Sequence, residues 1–325
     1  MTIEESGGFM QKRKDIAFVF PGQGAQYIGM AMDFVEANEQ YRNILTKFDT
    51  DHGTNLYGIM KEGPEEALKE TRITQPAILF HSIVCFESFK HKLQIEPAFV
   101  AGHSLGEFTA LVANGVLSLE DAMHIVHKRG EFMIRANAGV PFAMSAIVGL
   151  DADDVILACA EAEKHGLVKA VNFNTPIQTV ISGTQAGVEA AGVICKAKGA
   201  KRVLPLIVGG PFHTPLIEQA SVWLAEEMKT REFKPTNVPV ISNLNALPET
   251  DAIKIRENLE QQIISPVRWV DCVTYMQSAG VTTYIEFGPQ KVLSGMIKNI
   301  DKAASVLNID KMEDTEAVVE VVKNV

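Results

Sequence analysis

Gly102-His103-Ser104-Leu105-Gly106 follows the short apolar run Ala98-Phe99-Val100-Ala101 and opens a helical run from Leu105 to Ala113, which Asn114-Gly115 stops. The pentapeptide has the form G-x-S-x-G, in which a serine sits on a tight turn between strand and helix. The two glycines let the backbone turn and let neighbouring chain approach it. Strand, turn and helix come in the order this elbow demands. The stretch therefore predicts an α/β core whose parallel sheet presents Ser104 at a strand end.

Length and composition bound what can surround it. The 325 residues allow one large domain with an insertion, or two domains. At 46% hydrophobic and 22% charged residues the chain is globular, and a formal net charge of -10 excludes general nucleic-acid binding, which needs a basic surface. Cys85, Cys159, Cys195 and Cys272 form no C-x-x-C pair, which excludes an obvious zinc site or disulfide framework and suits the reducing cytoplasm. No apolar run is long enough to cross a bilayer, so no membrane partner is expected. Met1 to Lys14 lacks the apolar segment of a secretory signal and reads as a disordered leader over residues 1–14.

Working outward from the elbow, Asp15 to Phe20 reads as a second buried strand, running into Pro21-Gly22-Gln23-Gly24-Ala25-Gln26. A dinucleotide loop would need a small residue where Tyr27 stands, and a phosphate loop would need a lysine. The better reading is a loop whose backbone N–H approaches a substrate oxygen; a plain tight turn is the alternative. Ile73 to Phe89 reads as a mostly apolar helix with Pro76 in its first turn, and His81 within it reads as a core histidine. Ser118 and Asp121 form a variant capping box for a helix running to about Ala138. On that helix Ala122, Ile125, Val126, Met133 and Ala136 share one stripe, with His124, His127, Lys128, Glu131 and Arg135 opposite. Arg129 falls in the middle of the apolar stripe. A guanidinium facing inward costs several kcal/mol unless an acid meets it, either a protein carboxylate or one carried by a bound substrate.

Between Phe142 and Val208 the pattern changes to strands at Phe142–Val148, Val168–Phe173, Gln178–Ser182 and Arg202–Val208, with helices at 152–165 and 185–198. That order, βαββαβ, is ferredoxin-like and marks residues 139–209 as an inserted small subdomain. It divides the hydrolase-like lobe into 15–138 and 210–325, with a cleft expected between the lobes. The return crossing, Val208-Gly209-Gly210-Pro211-Phe212-His213-Thr214-Pro215, carries a histidine in a glycine- and proline-bounded loop facing that cleft. Beyond it come a helix from Leu216, a strand at Val238–Ser242, helices at 252–264 and 267–279, and a βα unit at 283–299. A strand at Ala304–Ile309 precedes an acidic tail.

A serine on an elbow is a poor nucleophile until a base takes its proton. His213 is the best candidate; His103 adjoins Ser104, and at a sharp elbow its ring points elsewhere. The acids between Ser104 and His213 cluster on a solvated helix (Asp151, Asp153, Asp154, Glu161, Glu163), so no triad acid is evident. A dyad is expected, with the second imidazole nitrogen held by a neutral acceptor.

Taken together, Phe20-Pro21-Gly22-Gln23-Gly24, Gly102-His103-Ser104-Leu105-Gly106-Glu107, Arg129, Phe212-His213 and Gly288-Pro289 resemble the malonyl-CoA:acyl-carrier-protein transacylases in their discrete form. The resemblance spans about residues 15–309. It implies a hydrolase-like α/β lobe with a ferredoxin-like insertion, and ping-pong transfer of a malonyl group from coenzyme A to a carrier-protein thiol for fatty-acid or polyketide synthesis. By the same resemblance Ser104 is the acyl-accepting nucleophile, His213 its base and acid, and the N–H groups of Gln23 and Leu105 the oxyanion hole. Arg129 would pair with the malonyl carboxylate, and the main-chain carbonyl of Gln262 would orient His213. Phe212, Met133, Asn174 and His103 would belong to the substrate pocket, with Phe212 disfavouring an α-methyl branch. Malonyl-CoA is then a substrate, no cofactor or metal is required, and a cytoplasmic monomer is expected. A candidate rim for the acidic partners is Lys196, Lys198, Lys201 and Arg202, although a solvated helix end explains them as well. Gln290 departs from the family's Gly-Pro-Gly-Lys and implies an altered turn if that glycine has positive φ. The rival readings are a serine esterase or thioesterase, a transferase acting in trans on a polyketide synthase, and a silent docking module that would have lost Ser104 or His213.

Overall fold

One short strand shows how the main layer is built. In β1 (Gln11–Phe20) the side chains of Ile16, Phe18 and Phe20 point to one face and those of Ala17 and Val19 to the other, and all five are buried. In this computed structural model, which describes residues 11–137 and 139–324, β1 is followed by five helices. These are α1 (Met32–Ala37), α2 (Glu39–His52), α3 (Leu56–Glu62), α4 (Glu65–Leu68) and α5 (Thr71–Lys92). Then come β2 (Ile95–Gly102), α6 (Leu105–Ala113) and α7 (Leu119–Arg135). The insertion contributes β3 (Phe142–Val148), α8 (Ala152–Ala162), β4 (Val168–Thr175), β5 (Gln178–Thr184), α9 (Gln185–Ala197) and β6 (Arg202–Pro205). The chain returns through α10 (Glu218–Lys229), β7 (Val240–Ile241), β8 (Pro248–Glu249), α11 (Ala252–Gln262) and α12 (Trp269–Ser278). It closes with β9 (Thr283–Phe287), α13 (Val292–Ile300), β10 (Ser305–Ile309) and α14 (Asp314–Lys323).

The main sheet has the order β10-β9-β1-β2-β7-β8, parallel except for the last pair. Phe18 packs edge-on against Phe287, Phe86 and Phe89 at 5.1, 5.9 and 5.9 Å between ring centroids, which joins β1 to β9 and α5. Ala17, Val19 and Ala101 pack on the opposite face against Trp269, Val273, Leu293 and Ile297 of α12 and α13. The sheet is thus covered on both sides, as parallel sheets require.

The second sheet, order β4-β5-β3-β6, is antiparallel and has the ferredoxin-like arrangement. Ile147, Val168 and Ile181 on one face meet Val155, Ala158, Val188 and Ala191 of α8 and α9. Met144, Ala146, Val171 and Val180 instead join the core of the large lobe. Main-chain bonds add to this contact: Phe173 N–H donates to Val267 O (3.0 Å), and Val267 N–H donates to Val171 O (2.8 Å).

Several boundaries differ from the sequence reading for identifiable reasons. Gln11 to Lys14, expected in the leader, form the first part of β1 opposite Ile95 to Pro97; the rest of the leader lies outside the described residues. Their polarity fits because this end of the strand is held by polar contacts. Arg13 pairs with Asp15 (2.7 Å) and donates to Val322 O (3.0 Å), and Lys12 pairs with Glu96. The acidic tail contains α14, whose Thr315, Val318, Val319 and Val322 form a buried stripe beneath exposed acids. The expected strand at Arg202–Val208 stops at Pro205, and that at Val238–Ser242 shrinks to two residues after Pro239, because proline has no N–H for a ladder. Helix α7 ends at Arg135 rather than near Ala138, which is outside the described residues. His127, expected on its polar side, is buried against Phe48 with Nδ1 at 2.9 Å from Arg72 O. Gln290 itself takes the positive φ, at 64°, with its N–H donating to Asp310 and its Nε2 to Ala25 O.

Candidate active site

The elbow is held by close approach more than by glycine flexibility. A Cβ at Gly102 would lie 1.9 Å from the carbonyl carbon of Gly106, and one at Gly106 would lie 2.1 Å from Phe20 O. The positive φ falls on the elbow serine, with Ser104 at φ 52°, ψ -103°. Strain of this kind persists only where surrounding contacts fix it. Here Asn243 supplies them: its Oδ1 accepts from Ser104 N–H (2.6 Å) and its Nδ2 donates to Gly102 O (2.7 Å). Gly102→Ala is expected to destabilise the fold by about 3 kcal/mol or more, because backbone rather than a flexible side chain occupies the space. A urea titration checks this, and a midpoint matching the native protein would refute it.

Ser104 and His213 come from the two separate chain segments of the large lobe and meet with the serine Oγ–H donating to His213 Nε2 at 2.9 Å. His213 Nδ1 faces Gln262 O (3.0 Å) and Ser265 O (3.1 Å), and among the described residues no carboxylate bonds it. Two carbonyls can only accept, so the proton sits on Nδ1 and the Nε2 lone pair faces the serine. Burial, and then the charge of Arg129, pull the His213 pKa down to about 3, so the ring is a neutral base across the physiological range. His213 also has positive φ, at 61°.

Arg129 projects from α7 into the same place and is 1% exposed. Its Nη2 donates to Ser104 Oγ (3.0 Å) and Gln262 Oε1 (2.9 Å), and its Nη1 to Gln75 Oε1 (3.0 Å). All three partners are neutral. Burial pulls its pKa down to about 10, which still leaves it charged, and Glu107 opposes that shift through space. Glu107 is itself buried, and burial pushes it up to about 7 against hydrogen bonds from Gln262 Nε2 (2.9 Å) and Asn243 N–H (3.0 Å).

A cavity of about 120 Å³ joins these groups, with Gln23, Ser104, Leu105, Arg129 and His213 among its lining. Leu105 is the first residue of α6, where the N–H has no carbonyl of its own helix to reach. Phe212, Met133 and His103 also line the space. Asn174 does not; it stands behind His103, accepting from its Nε2 at 2.8 Å, while Asn172 reaches the cavity wall. Register shifts along β4 separate the two asparagines, which spacing alone does not reveal. Gln75, Asn243 and the role of Glu107 were not found from sequence, although Gln75-Pro76 in an apolar helix is a polar residue in want of a buried partner. The rim lysines are partly committed elsewhere: Lys196 donates to Ala200 O and Lys201 O, and Lys198 pairs with Asp154. A larger cavity of about 650 Å³, between α2 and α7, contains none of the reactive groups. Chemistry, not volume, identifies the site.

A family model described as the acyl transferase domain matches residues 17–321. The malonyl CoA-acyl carrier protein transacylase of Bacillus subtilis (strain 168) is 42% identical over 309 residues, covering 95% of this chain and 97% of that protein. The crystal structure of the corresponding transacylase from Xanthomonas oryzae pv. oryzae superposes with a TM-score of 0.91 at 38% identity, covering 96% of this chain and 99% of that one. A malonyl-transacylase solved with its type II PKS acyl-carrier protein gives 0.90 at 37% identity, covering 94% and 99%.

Proposed function

Because the chain belongs to the malonyl-CoA:acyl-carrier-protein transacylases of the acyl transferase domain family, we propose that it carries malonyl from coenzyme A to a carrier-protein thiol through an ester on Ser104. The observation that carries this reading is Arg129: a buried cation with neutral partners only, its Nη2 3.0 Å from the nucleophile. A free carboxylate on the acyl group is the ligand that such a guanidinium lacks.

The steps follow from the residues. His213 Nε2 takes the proton of Ser104 as Oγ bonds to the thioester carbonyl carbon. The N–H groups of Gln23 and Leu105 receive the oxyanion, a contribution of about 3–4 kcal/mol for one such donor. The C–S bond breaks, and the proton on His213 passes to the departing thiolate. The phosphopantetheine thiol of the carrier protein then enters, gives its proton to His213 and attacks the serine ester carbon; the Oγ–C bond breaks, and His213 returns the proton to Ser104 Oγ. No metal or cofactor takes part in this scheme. Phe212 and Met133 line the same cavity as Ser104, and in this reading the Phe212 ring disfavours a branch on the malonyl α-carbon. Four free, buried cysteines suit a reducing compartment, and we place the enzyme in the cytoplasm, acting as a monomer.

A hydrolase would use the same elbow, but it has no need for a cation beside the serine, and it commonly orients its histidine with an acid. Intact-protein mass spectrometry after mixing with malonyl-CoA separates the two. We expect a malonyl adduct on Ser104 that holo carrier protein discharges faster than water does. Loss to water as fast as to carrier protein would refute transfer.

A further inference from the structure

Glu107 takes no part in the steps above, yet its side chain is inside the protein at the first turn of α6, next to the nucleophile. What it touches is the Gln262 carboxamide, a group with a donor end and an acceptor end that can sit either way round. Gln262 Nε2 donates to Glu107 Oε2 and to Ser104 O, both at 2.9 Å, so both of its N–H groups are engaged. That leaves Gln262 Oε1 facing Arg129, from whose Nη2 it accepts at 2.9 Å. Turned round, the amide would set N–H groups against the guanidinium and an oxygen against the glutamate oxygen. Arg129 would then keep Gln75 Oε1 on Nη1 and, on Nη2, only the Ser104 hydroxyl oxygen, which is itself the reacting atom.

We infer that Glu107 is a positioning residue for malonyl recognition: it fixes the Gln262 carboxamide in the orientation that aims Arg129 at the acyl site, and so sets the preference for malonyl over acetyl. This rests on the transfer reading given above. Glu107 Oε2 also accepts from Asn243 N–H, and Asn243 supports the backbone of Ser104, so removing the carboxyl group loosens the nucleophile for every substrate. A ratio of substrates cancels that common loss.

The experiment measures kcat/KM for loading of Ser104 from malonyl-CoA and from acetyl-CoA, and takes their ratio. Glu107→Ala is expected to lower the ratio about tenfold or more, whereas Glu107→Gln, with an amide oxygen in the same place, is expected to stay within about threefold of native. Gln262→Met keeps the main-chain carbonyl under His213 and should lower the ratio as Glu107→Ala does. Because the two residues act in series, the double variant should lose about no more than either alone. An unchanged ratio in Glu107→Ala, or ratio losses that multiply in the double variant, overturns the inference. A native ratio in Gln262→Met overturns it whether or not the alanine variant folds. A native protein that forms no malonyl adduct defeats the transfer reading instead, so the two failures are distinguishable.

Discussion

His213→Ala is expected to slow loading of Ser104 from malonyl-CoA by about 10²–10⁴-fold, the range for removal of a positioned general base. Geometry prepares the ring for this. Nε2 lies 2.9 Å from the serine oxygen, and two main-chain carbonyls hold Nδ1–H, so the ring needs no reorientation before it takes a proton. Electrostatics then fixes the pH behaviour. A base must be unprotonated to act, and burial together with Arg129 lowers the His213 pKa to about 3. The native kcat/KM should therefore stay level from neutral pH down to about 5, where an ordinary histidine near 6.5 would already be mostly protonated. Single-turnover loading across that range measures both points. A few-fold effect of the alanine substitution, or an acid limb near 6.5 in the native protein, would contradict this account.

Arg129→Ala should change which acyl group is accepted. Removing one partner of a buried charge pair costs about 2–4 kcal/mol, so malonyl loading is expected to fall roughly 30- to 1000-fold. Acetyl loading should survive or rise, since acetyl brings no carboxylate for the arginine to meet. The substitution also removes a cation that holds the histidine pKa down, so the acid limb should move up toward the ordinary histidine value. Competition between malonyl-CoA and acetyl-CoA, read by mass of the adduct, gives the preference directly. Equal losses for both thioesters would make Arg129 a structural residue.

The elbow was legible in the sequence because it is local. Strand, glycines, serine and helix lie within a few residues, and α6 runs from Leu105 to Ala113 as its pattern requires. Strands β3 and β9 were equally plain, being apolar runs with clear ends. Arg129 could be singled out because a cation on an apolar stripe contradicts its helix. What remained hidden depends on contacts between distant segments. Asn243 supports Ser104 from 139 residues away, and nothing in Ser242-Asn243 tells which backbone it will reach. The Gln262 main-chain carbonyl was anticipated only from resemblance, and its side chain's bonds to Arg129 and Glu107 were not anticipated at all. Likewise, His127 looked like a surface residue until α2 brought Phe48 over it. Periodicity says which side of a helix is apolar, not how far a neighbouring helix extends across the other.

The pair of main-chain bonds between β4 and Val267 bears on how substrates are chosen. Val267 lies two residues after Ser265 and five after Gln262, the two carbonyls that hold His213. Swinging the small lobe outward would tear those bonds and pull on the histidine's own anchor. The junction is therefore braced at the same segment that anchors the histidine, so that opening it and displacing the base are one movement. On the transfer proposed above, admission through a braced junction would depend on slenderness, with a thiol at the tip of a long, thin arm reaching Ser104 while the folded body that carries it stays outside. Such bracing would also shelter the serine ester of that transfer during the wait between one thiol leaving and the next arriving, when an open cleft would expose it to water.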